Sequence, residues 1–417
     1  MSRLKICMVT TFYPPYNFGG DGLFVQRLAR ALVKDGNEVH VIHDRDAYAF
    51  CAGESGATAN SAKVSPQNDG VHLHTMGDGN PNAVDLLISH QLGRPVKRED
   101  ELRSVLTEKF DVIHFHNVSL LGGPGVLKYG SGVKVCTLHD HWFVCAMHVL
   151  WRYGREACTK RTCMSCTVAG ARPPQLWRYT GAVEEAVTEV DTFISPTEFA
   201  RQSHYRNGFP GKITVLPHFV PDEFIAAAGE KQSLAVHPRP YFLVAGRLEK
   251  LKGVQILIDQ FRRYRSADLL IAGTGDYERE LKAQAHDLPH VRFVGRVLAR
   301  ELNVLYRNAI AVVIPSLVYE TFGLVALEAF AQSTPVLVNN IGALPEIVAG
   351  GGGFVYNTGL ELTDWMEKLR TDPLLRNELG QRGLDNLKSN YTEQRHLTQY
   401  YGMISELRNP KIMQEVR

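Results

Sequence analysis

The chain has 417 residues, of which 44% are hydrophobic and 22% charged, and its formal net charge is +2. This length exceeds what one hydrophobic core holds and suits two domains of roughly 200 residues each. The near-zero charge gives no support for nucleic-acid binding, and no apolar run is long enough to cross a membrane. The opening segment "MSRLKICMVTTFYPP" lacks the apolar run of a signal peptide, so we expect a cytoplasmic protein.

Strands and helices alternate in the first half of the chain. A buried strand in "LKICMVT", a glycine loop, an amphipathic helix and a second strand, "NEVHVIHD", form a predicted βαβ unit. The residues expected on the buried face of that helix are Leu23, Phe24, Leu28, Ala31 and Leu32. Further strands are predicted in "FDVIHFHN", "VKVCTLHDHWF" and "DTFIS". Residues 46–80 are rich in small and polar residues and are expected to form a surface insertion, and residues 145–180 show no clear periodicity.

A second set of buried strands follows residue 217. The segments concerned are "YFLVAG", "ADLLIAG", "HVRFVG", "AVVIPS" and "TPVLVNN", with helical segments between them. The sequence therefore predicts two doubly wound α/β domains joined near residues 217–238, where proline, glycine and charged residues gather. A final segment, "TEQRHLTQYYGMISELR", predicts a helix. Because parallel sheets bind ligands beyond the carboxyl ends of their strands, motifs at strand ends are the candidates for a site.

Two glutamates flank one strand-to-helix turn in the second half. Glu328 lies among apolar residues in the helical segment "FGLVALEAFAQS", and Glu320 lies eight residues earlier, at the turn itself. The first-turn amides of a helix lack internal partners, so this turn could hold a phosphate or a sugar hydroxyl. The amides concerned are those of Phe322, Gly323, Leu324 and Val325. A buried Glu328 needs a hydrogen-bonding partner, for which a ligand diol and a structural arginine or amide are both candidates.

Three other strand ends of the second half carry candidate ligand groups. Arg247 and Lys252 lie in one loop and could clamp a diphosphate, although most such pairs are solvated loop charges. The segment "IAGTGDYE", which contains Gly273, lacks the third glycine of a dinucleotide-binding fingerprint. Gly295 and Arg296 end a further strand, where the backbone could contact a base.

The first half offers a glycine loop and a histidine motif. Gly19 and Gly20 precede the first helix, where they form either a phosphate-binding loop or a flexible turn. "TLHDHW" places His139, Asp140 and His141 at a strand end. One of these histidines could hydrogen-bond a substrate hydroxyl with the aspartate orienting it, although a structural role is the commoner one for a histidine.

Four cysteines follow the histidine motif with the spacing C-x12-C-x4-C-x2-C. They are Cys145, Cys158, Cys163 and Cys166. This spacing suits a tetrahedral structural zinc ion, with His148 as a substitute ligand. Reduced thiols or a redox pair are the alternatives, and both readings stay open.

Taken together, these motifs resemble the family-4 retaining glycosyltransferases, whose architecture is GT-B. The matching segments are "PPYNFGGDG", "TLHDHW", "GRLEKLKG", "AGTGD", "RFVGRV", "ETFGLVALE" and "NNIGALPEIV", in the family's order along nearly the whole chain. The resemblance implies an acceptor-binding Rossmann-like domain over residues 1–217, completed by a helix at 392–417 that crosses back to it. It also implies a donor-binding Rossmann-like domain over 218–391, facing the first across a cleft.

The resemblance also implies roles for individual residues. By position, Arg247 and Lys252 bind the donor diphosphate, Glu328 binds the ribose and Glu320 engages the transferred sugar. Gly20 corresponds to a loop that closes over the phosphates, and His139 lies beside the reacting sugar. The implied catalytic set is Glu320, His139, Arg247 and Lys252. The implied donor-binding set is Gly19, Gly20, Arg247, Lys252, Gly273, Gly295, Arg296, Glu320, Thr321, Phe322, Gly323, Leu324, Val325 and Glu328.

The activity that the resemblance implies is transfer of a hexose, with retention, from a UDP- or GDP-linked sugar to a glycan or lipid-linked saccharide. No divalent metal is expected in catalysis, and no nucleic acid is expected as a partner. Contact with the inner face of the membrane stays open because acceptors in this family are often lipid-linked. A sugar-nucleotide epimerase, a non-catalytic nucleotide-sugar binder and a dinucleotide oxidoreductase are the alternatives, and the incomplete glycine fingerprint disfavours the last.

Overall fold

The computed structural model describes residues 3–61, 69–226 and 237–408. Its strands are β1 (Lys5–Val9), β2 (Glu38–Asp44), β3 (His72–Met76), β4 (Val112–Phe115), β5 (Val133–Thr137), β6 (Trp151–Arg152), β7 (Glu156–Ala157), β8 (Thr192–Ser195), β9 (Ile213–Val215), β10 (Tyr241–Ala245), β11 (Asp268–Ala272), β12 (Val291–Gly295), β13 (Val312–Ile314), β14 (Val336–Asn339) and β15 (Gly353–Tyr356). Its helices are α1 (Gly20–Lys34), α2 (Arg45–Ser61), α3 (Ala83–Leu92), α4 (Glu99–Leu106), α5 (Cys163–Ala169), α6 (Ala182–Val187), α7 (Glu198–Arg206), α8 (Asp222–Ala226), α9 (Val254–Phe261), α10 (Glu278–Gln284), α11 (Ala299–Asn308), α12 (Leu324–Ala331), α13 (Leu344–Val348), α14 (Gly359–Thr371), α15 (Pro373–Asn390) and α16 (Glu393–Arg408).

The first sheet has seven strands in the order β3-β2-β1-β4-β5-β8-β9. Every neighbouring pair in it is parallel. The central strand β1 is buried on both faces, as the continuous apolar run of its sequence predicts. The predicted βαβ unit is therefore confirmed, with α1 connecting β1 to β2.

The prediction of a surface insertion over residues 46–80 is wrong at both of its ends. Asp46, Ala47 and Tyr48 are buried at the start of α2. At the other end β3 extends the sheet from β2, although most of its side chains are at least partly exposed. An edge strand of this kind has no buried apolar run, so it escapes a search for one. Residues 62–68 of the predicted insertion lie outside the described residues.

The predicted buried face of α1 is confirmed except at one position. Phe24, Leu28, Ala31 and Leu32 are buried, but 42% of Leu23 is exposed. Since each residue turns a helix by about 100°, Leu23 is rotated away from the stripe that the other four form. The sheet is covered instead by Val25, which is fully buried on the other side of that stripe.

The second sheet has six parallel strands in the order β12-β11-β10-β13-β14-β15. Successive residues of β10 enter two different cores: Phe242 and Val244 pack in one, and Tyr241 and Leu243 in the other. Helices cover both faces, which explains why these strands are continuous apolar runs in the sequence. The doubly wound α/β architecture predicted for both halves is confirmed.

The chain divides into two compact units. The first contains residues up to Pro196, Ala200–Leu216 and the chain from Leu397 onward, and the second contains Thr197–Phe199 and Pro217–His396. The last turns of α16 belong to the first unit, where Tyr401 Oη lies 2.7 Å from Asn37 Nδ2 and Arg408 pairs with Asp111 at 2.8 Å. Residues 227–236 of the predicted linker and 409–417 of the predicted last helix lie outside the described residues. In the part of the chain that is described, no helix is long and apolar enough to span a bilayer.

Candidate functional site

The carboxyl ends of β10, β11 and β12 form an edge of exposed backbone. Gly246, Gly273 and Gly295 end these neighbouring strands, and their φ angles are +138°, +139° and +72°. A Cβ atom on Gly273 would lie 1.8 Å from the carbonyl oxygen of Gly246, whereas one on Gly295 would meet no atom within 4 Å. Close packing therefore requires glycine at Gly273, and the positive φ angle favours glycine at all three positions. A ligand could approach the backbone closely along this edge.

Sheet order brings the predicted basic loop to the predicted acidic turn. Since β10 and β13 are neighbours, the loops that follow them lie side by side. Leu317 donates its backbone N–H to the carbonyl of Leu251 at 2.9 Å. At Gly253 the φ angle is +77°, and an added Cβ would lie 1.9 Å from the Pro315 carbonyl oxygen. The tight contact at this glycine holds Lys252 beside the loop that carries Glu320.

Lys252 and Glu320 form an ion pair at this edge. Lys252 Nζ lies 2.7 Å from Glu320 Oε1, which also accepts a hydrogen bond from the Ser316 hydroxyl. Burial would raise the pKa of Glu320, but the Lys252 ammonium, the Ser316 hydroxyl and the nearby Arg247 charge hold it below its ordinary value. Arg247 itself pairs with Glu249 at 2.6 Å and is about half exposed. The turn therefore presents one ionised carboxylate between two cations.

The backbone of the same turn is fixed by packing on both sides. The Phe322 ring is buried against His218 and Tyr391, with ring centroids 5.0 and 6.0 Å away. Thr197 donates its hydroxyl to the Thr321 carbonyl at 2.8 Å. Gly323 caps α12, and no side chain caps that helix end among the residues described. The predicted amides of Gly323, Leu324 and Val325 thus begin a helix with no side-chain acceptor on them.

Glu328 has a partner within the protein. It lies on α12 and is half-buried rather than fully buried. The Tyr306 hydroxyl, on α11, donates to Glu328 Oε2 at 3.2 Å. From the sequence, the structural partner expected for Glu328 was an arginine or a backbone amide, and Tyr306 was not predicted. A carboxylate accepts several hydrogen bonds, so this contact is compatible with a ligand diol on the same group.

In the first unit, the glycine loop leads directly into α1. Gly19 caps the helix and Gly20 is its first residue, and neither has a positive φ. Asn17 Nδ2 donates to the Gly19 carbonyl at 2.7 Å and holds the loop. A Cβ on Gly22 would lie 2.4 Å from Asn17 Oδ1. Close packing therefore requires glycine at Gly22, a position that the sequence analysis did not single out.

The histidine motif at the end of β5 forms a network of ring nitrogens. His139 Nε2 lies 3.0 Å from His116 Nδ1, so one ring donates to the other. The His116 ring stacks on His114 at 4.0 Å between centroids, and His114 Nδ1 lies 3.4 Å from Tyr400 Oη on α16. Burial lowers the pKa of His139, although the charges of Asp21 and Asp140 oppose that effect. His139 is therefore held neutral near neutral pH.

Asp140 contacts a different histidine from the one expected. It accepts from the Trp142 N–H at 2.8 Å and lies 2.7 Å from His148 Nδ1. Burial would raise the pKa of Asp140, but His148 and the Trp142 N–H bring it to about 2. His148, considered above as a substitute zinc ligand, is thus the partner of Asp140. His141 is buried, stacked on His204 at 5.1 Å.

The four clustered cysteines line one small cavity in the first unit. Cys145 and Cys166 are buried, Cys158 and Cys163 are partly exposed, and all four are free thiols. The cavity encloses about 280 Å³, part of it open to solvent. Over residues 3–61, 69–226 and 237–408, no three His, Cys, Asp or Glu side chains already stand in the arrangement that a metal ion requires.

Several side chains that were not predicted from the sequence orient the predicted ones. They are Ser316, His116, Tyr306 and Asn339, whose amide donates to the Ser316 carbonyl at 2.8 Å. His116 directly follows β4, Ser316 lies two residues beyond β13, and Asn339 is the last residue of β14, so each of them had a strand-end signal in the sequence. Tyr306 carries no such signal, because it reaches the site from α11.

Comparisons with known proteins cover both halves of the chain. The family described as "Glycosyltransferase Family 4" matches residues 18–224, and the family described as "Glycosyl transferases group 1" matches residues 228–385. Glycogen synthase of Mycobacterium tuberculosis is 31% identical over 367 residues, which cover 84% of this chain and 81% of that protein.

Two solved structures show the fold. Sucrose-phosphate synthase from Thermosynechococcus elongatus superposes with a TM-score of 0.74 at 18% identity, covering 98% of this chain and all of that one. HepE of Anabaena, solved in complex with UDP-glucose, superposes with a TM-score of 0.66 at 17% identity, covering 97% of this chain and all of that one.

Proposed function

The chain belongs to glycosyltransferase family 4, and on this premise we propose that it moves a hexose from a nucleotide sugar to a glycan or lipid-linked saccharide. We further propose that the anomeric configuration is retained and that the transfer needs no divalent metal. The donor is proposed to carry UDP or GDP. The UDP-glucose bound to HepE supports testing UDP-sugars first.

The Lys252–Glu320 pair is the observation that carries this proposal. A lysine ammonium has three N–H donors, and the contact with Glu320 uses one of them, so the others can bind phosphate oxygens. Both Lys252 and Ser316 contact Oε1 of Glu320, which leaves Oε2 directed to other partners. Because the pKa of Glu320 is lowered, its carboxylate is ionised and can accept hydrogen bonds from sugar hydroxyls.

The proposed reaction follows from where these charges lie. The bond between the anomeric carbon and the diphosphate oxygen breaks, and a bond from that carbon to an acceptor hydroxyl oxygen forms on the same face. The acceptor's proton passes to the departing phosphate oxygen. Lys252, Arg247 and the first amides of α12 stabilise the charge of the diphosphate as it leaves, in the way that preorganised cations and dipoles lower a barrier. These groups take the place that a divalent metal occupies in other transferases.

The first unit is proposed to receive the acceptor and to contribute His139 and the Gly19–Gly20 loop. His139, whose Nε2 lies 3.0 Å from His116 Nδ1, is the residue proposed to contact a substrate hydroxyl. If the acceptor is lipid-linked, we expect transient contact with a membrane surface, which vesicle flotation would detect.

The test begins with a thermal-shift panel of UDP-, GDP- and ADP-sugars, because a bound donor raises the melting temperature by mass action. The sugar that shifts it is then incubated with the protein and candidate saccharide acceptors. A transferase releases nucleotide faster when acceptor is present, whereas an epimerase changes the sugar and a binding protein does neither.

Matched lysine variants test the role of the cation in that assay. Lys252→Ala should abolish transfer and weaken the thermal shift, while Lys250→Ala, in the same turn, should leave both near wild type. Transfer that persists in Lys252→Ala would contradict the proposed role of the ion pair. Transfer should also be unchanged when Mg²⁺ or Mn²⁺ is added.

A further inference from the structure

The four clustered cysteines of the first unit come from three different local elements. Cys145 lies in the loop after the histidine motif, Cys158 follows the β6–β7 hairpin, and Cys163 and Cys166 lie on α5. All four cysteines nevertheless line one cavity, which Trp151 and Arg152 also line. Convergence of four thiols from separate elements is typical of a structural zinc site, whose ligands are drawn from short loops and turns.

The backbone around Cys145 adopts an uncommon conformation. Burial raises the pKa of the Cys145 thiol, while the N–H groups of Met147, Val149 and Leu150 hydrogen-bond to its sulfur. His148 and Leu150 adopt φ angles of +69° and +50°, a region that non-glycine residues rarely occupy. Such backbone strain persists only where surrounding interactions fix it. A loop that turns three N–H groups onto one sulfur fixes the position of Cys145, which lines the cavity.

A second sulfur receives the same kind of contact. The N–H of Tyr153, whose φ is +52°, donates to Cys166 Sγ at 3.3 Å. Cys158 Sγ lies 3.5 Å from the Lys160 carbonyl oxygen, a distance at which a protonated thiol donates a hydrogen bond. Its proton would be released to solvent when a metal binds, because thiol ligands bind as thiolates.

Positive charge is available to balance four thiolates around a divalent ion, a centre of net charge −2. Arg152 lines the cavity, where it also pairs with Glu156, and the partly buried Arg178 interacts electrostatically with Cys145 and Cys163. Arg178 is anchored by the Phe143 carbonyl at 3.1 Å.

From this arrangement we propose that Cys145, Cys158, Cys163 and Cys166 bind one structural zinc ion. Since the thiols do not yet stand at metal-binding distances from a common point, the ion draws them together by side-chain rotation. It thereby fixes the loop that holds His148 against Asp140, next to His139. This inference concerns the folding of the first unit and is independent of the proposed transfer reaction.

The first experiment measures the metal in the full-length wild-type protein. The protein is produced with zinc in the medium and purified with a reducing agent but without chelator. Elemental analysis should give about one zinc per chain, and X-ray absorption should show a shell of sulfur atoms at about 2.3 Å. A protein without zinc, a zinc ion bound only by nitrogen and oxygen, or a disulfide between any two of the four cysteines would overturn the proposal.

The second experiment uses a matched pair of cysteine variants. Cys158→Ser changes a partly exposed member of the cluster, and Cys51→Ser changes an exposed cysteine outside it. Cys158→Ser should lose most of its zinc, whereas Cys51→Ser should keep about one per chain. A chelator should lower the melting temperature of the wild type and of Cys51→Ser but not that of Cys158→Ser. If chelation removes the zinc and the wild-type melting temperature does not change, the ion is not structural.

Discussion

Replacing Glu320 by glutamine separates a functional role of the carboxylate from a structural one. The substitution keeps an oxygen that can accept from Lys252 and Ser316, but it removes the negative charge. The side chains of Lys252 and Glu320 are 33% and 22% exposed, so water screens part of their attraction. Ion pairs in such positions contribute about 1 kcal/mol or less. We therefore expect the free energy of unfolding to fall by about 1 kcal/mol, with a drop in Tm of about 2–4 °C.

The expected loss of activity is much larger than this loss of stability. Removing one group that stabilises a transition state typically lowers kcat by about 10²–10³-fold, or about 2.7–4 kcal/mol. A domain with about 5–15 kcal/mol of stability stays almost entirely folded after losing about 1 kcal/mol. Unfolding could therefore not account for a hundredfold loss of transfer.

The assay compares Glu320→Gln with a second carboxylate that has a purely structural partner. Glu367 on α14 pairs with Arg370 at 2.6 Å and is also partly exposed. Glu367→Gln should change Tm by a similar amount and leave kcat near wild type. Transfer rates, donor binding by calorimetry and thermal melts are measured on both variants. A rate loss in Glu320→Gln no larger than that in Glu367→Gln would refute the reasoning.

Two further predictions concern stability. Burial lowers the pKa of His43 from 6.5 to about 4, so between these pH values the unfolded chain binds more protons and stability falls as the pH falls. The free energy of unfolding of His43→Gln should therefore fall less with acid than that of the wild type, by up to about 3 kcal/mol at pH 4. If urea denaturation shows the same pH dependence of this free energy for both proteins, the prediction is wrong. Gly273→Ala should destabilise by about 3 kcal/mol or more, because its Cβ would lie 1.8 Å from the Gly246 carbonyl oxygen at a φ of +139°. Gly402→Ala, in a helix with open space around it, should instead stabilise by about 0.5–1 kcal/mol, and equal melting temperatures for the two variants would count against the steric argument.

The strands that are buried along their whole length could be predicted from their own short stretch of sequence. A strand covered by helices on both faces must be apolar throughout, and for that reason β1, β10 and β11 could be found from composition alone. Two edge strands, β3 and β15, escaped because this constraint is relaxed at a sheet edge. β3 is mostly polar and exposed, and β15 follows a run of glycines that masked it.

The candidate site could be located from the sequence only as a set of strand ends. Residues in the loop after a parallel strand lie near the ligand-binding edge, and this rule singled out Arg247, Lys252, Glu320 and His139 as candidates. It could not say which of them touch. That depended on β10 lying beside β13, two strands about 70 residues apart in the chain, and so only the sheet order placed Lys252 at 2.7 Å from Glu320.

The same limit applies to contacts between unlike elements. Spacing grouped the four cysteines, but only the fold placed all four around one cavity and brought His148 into contact with Asp140. Burial pattern and strand ends are encoded in short stretches of chain, because they follow from the periodicity of a single element. The partner of a side chain is set by which distant elements become neighbours, and that is decided only when the whole domain packs.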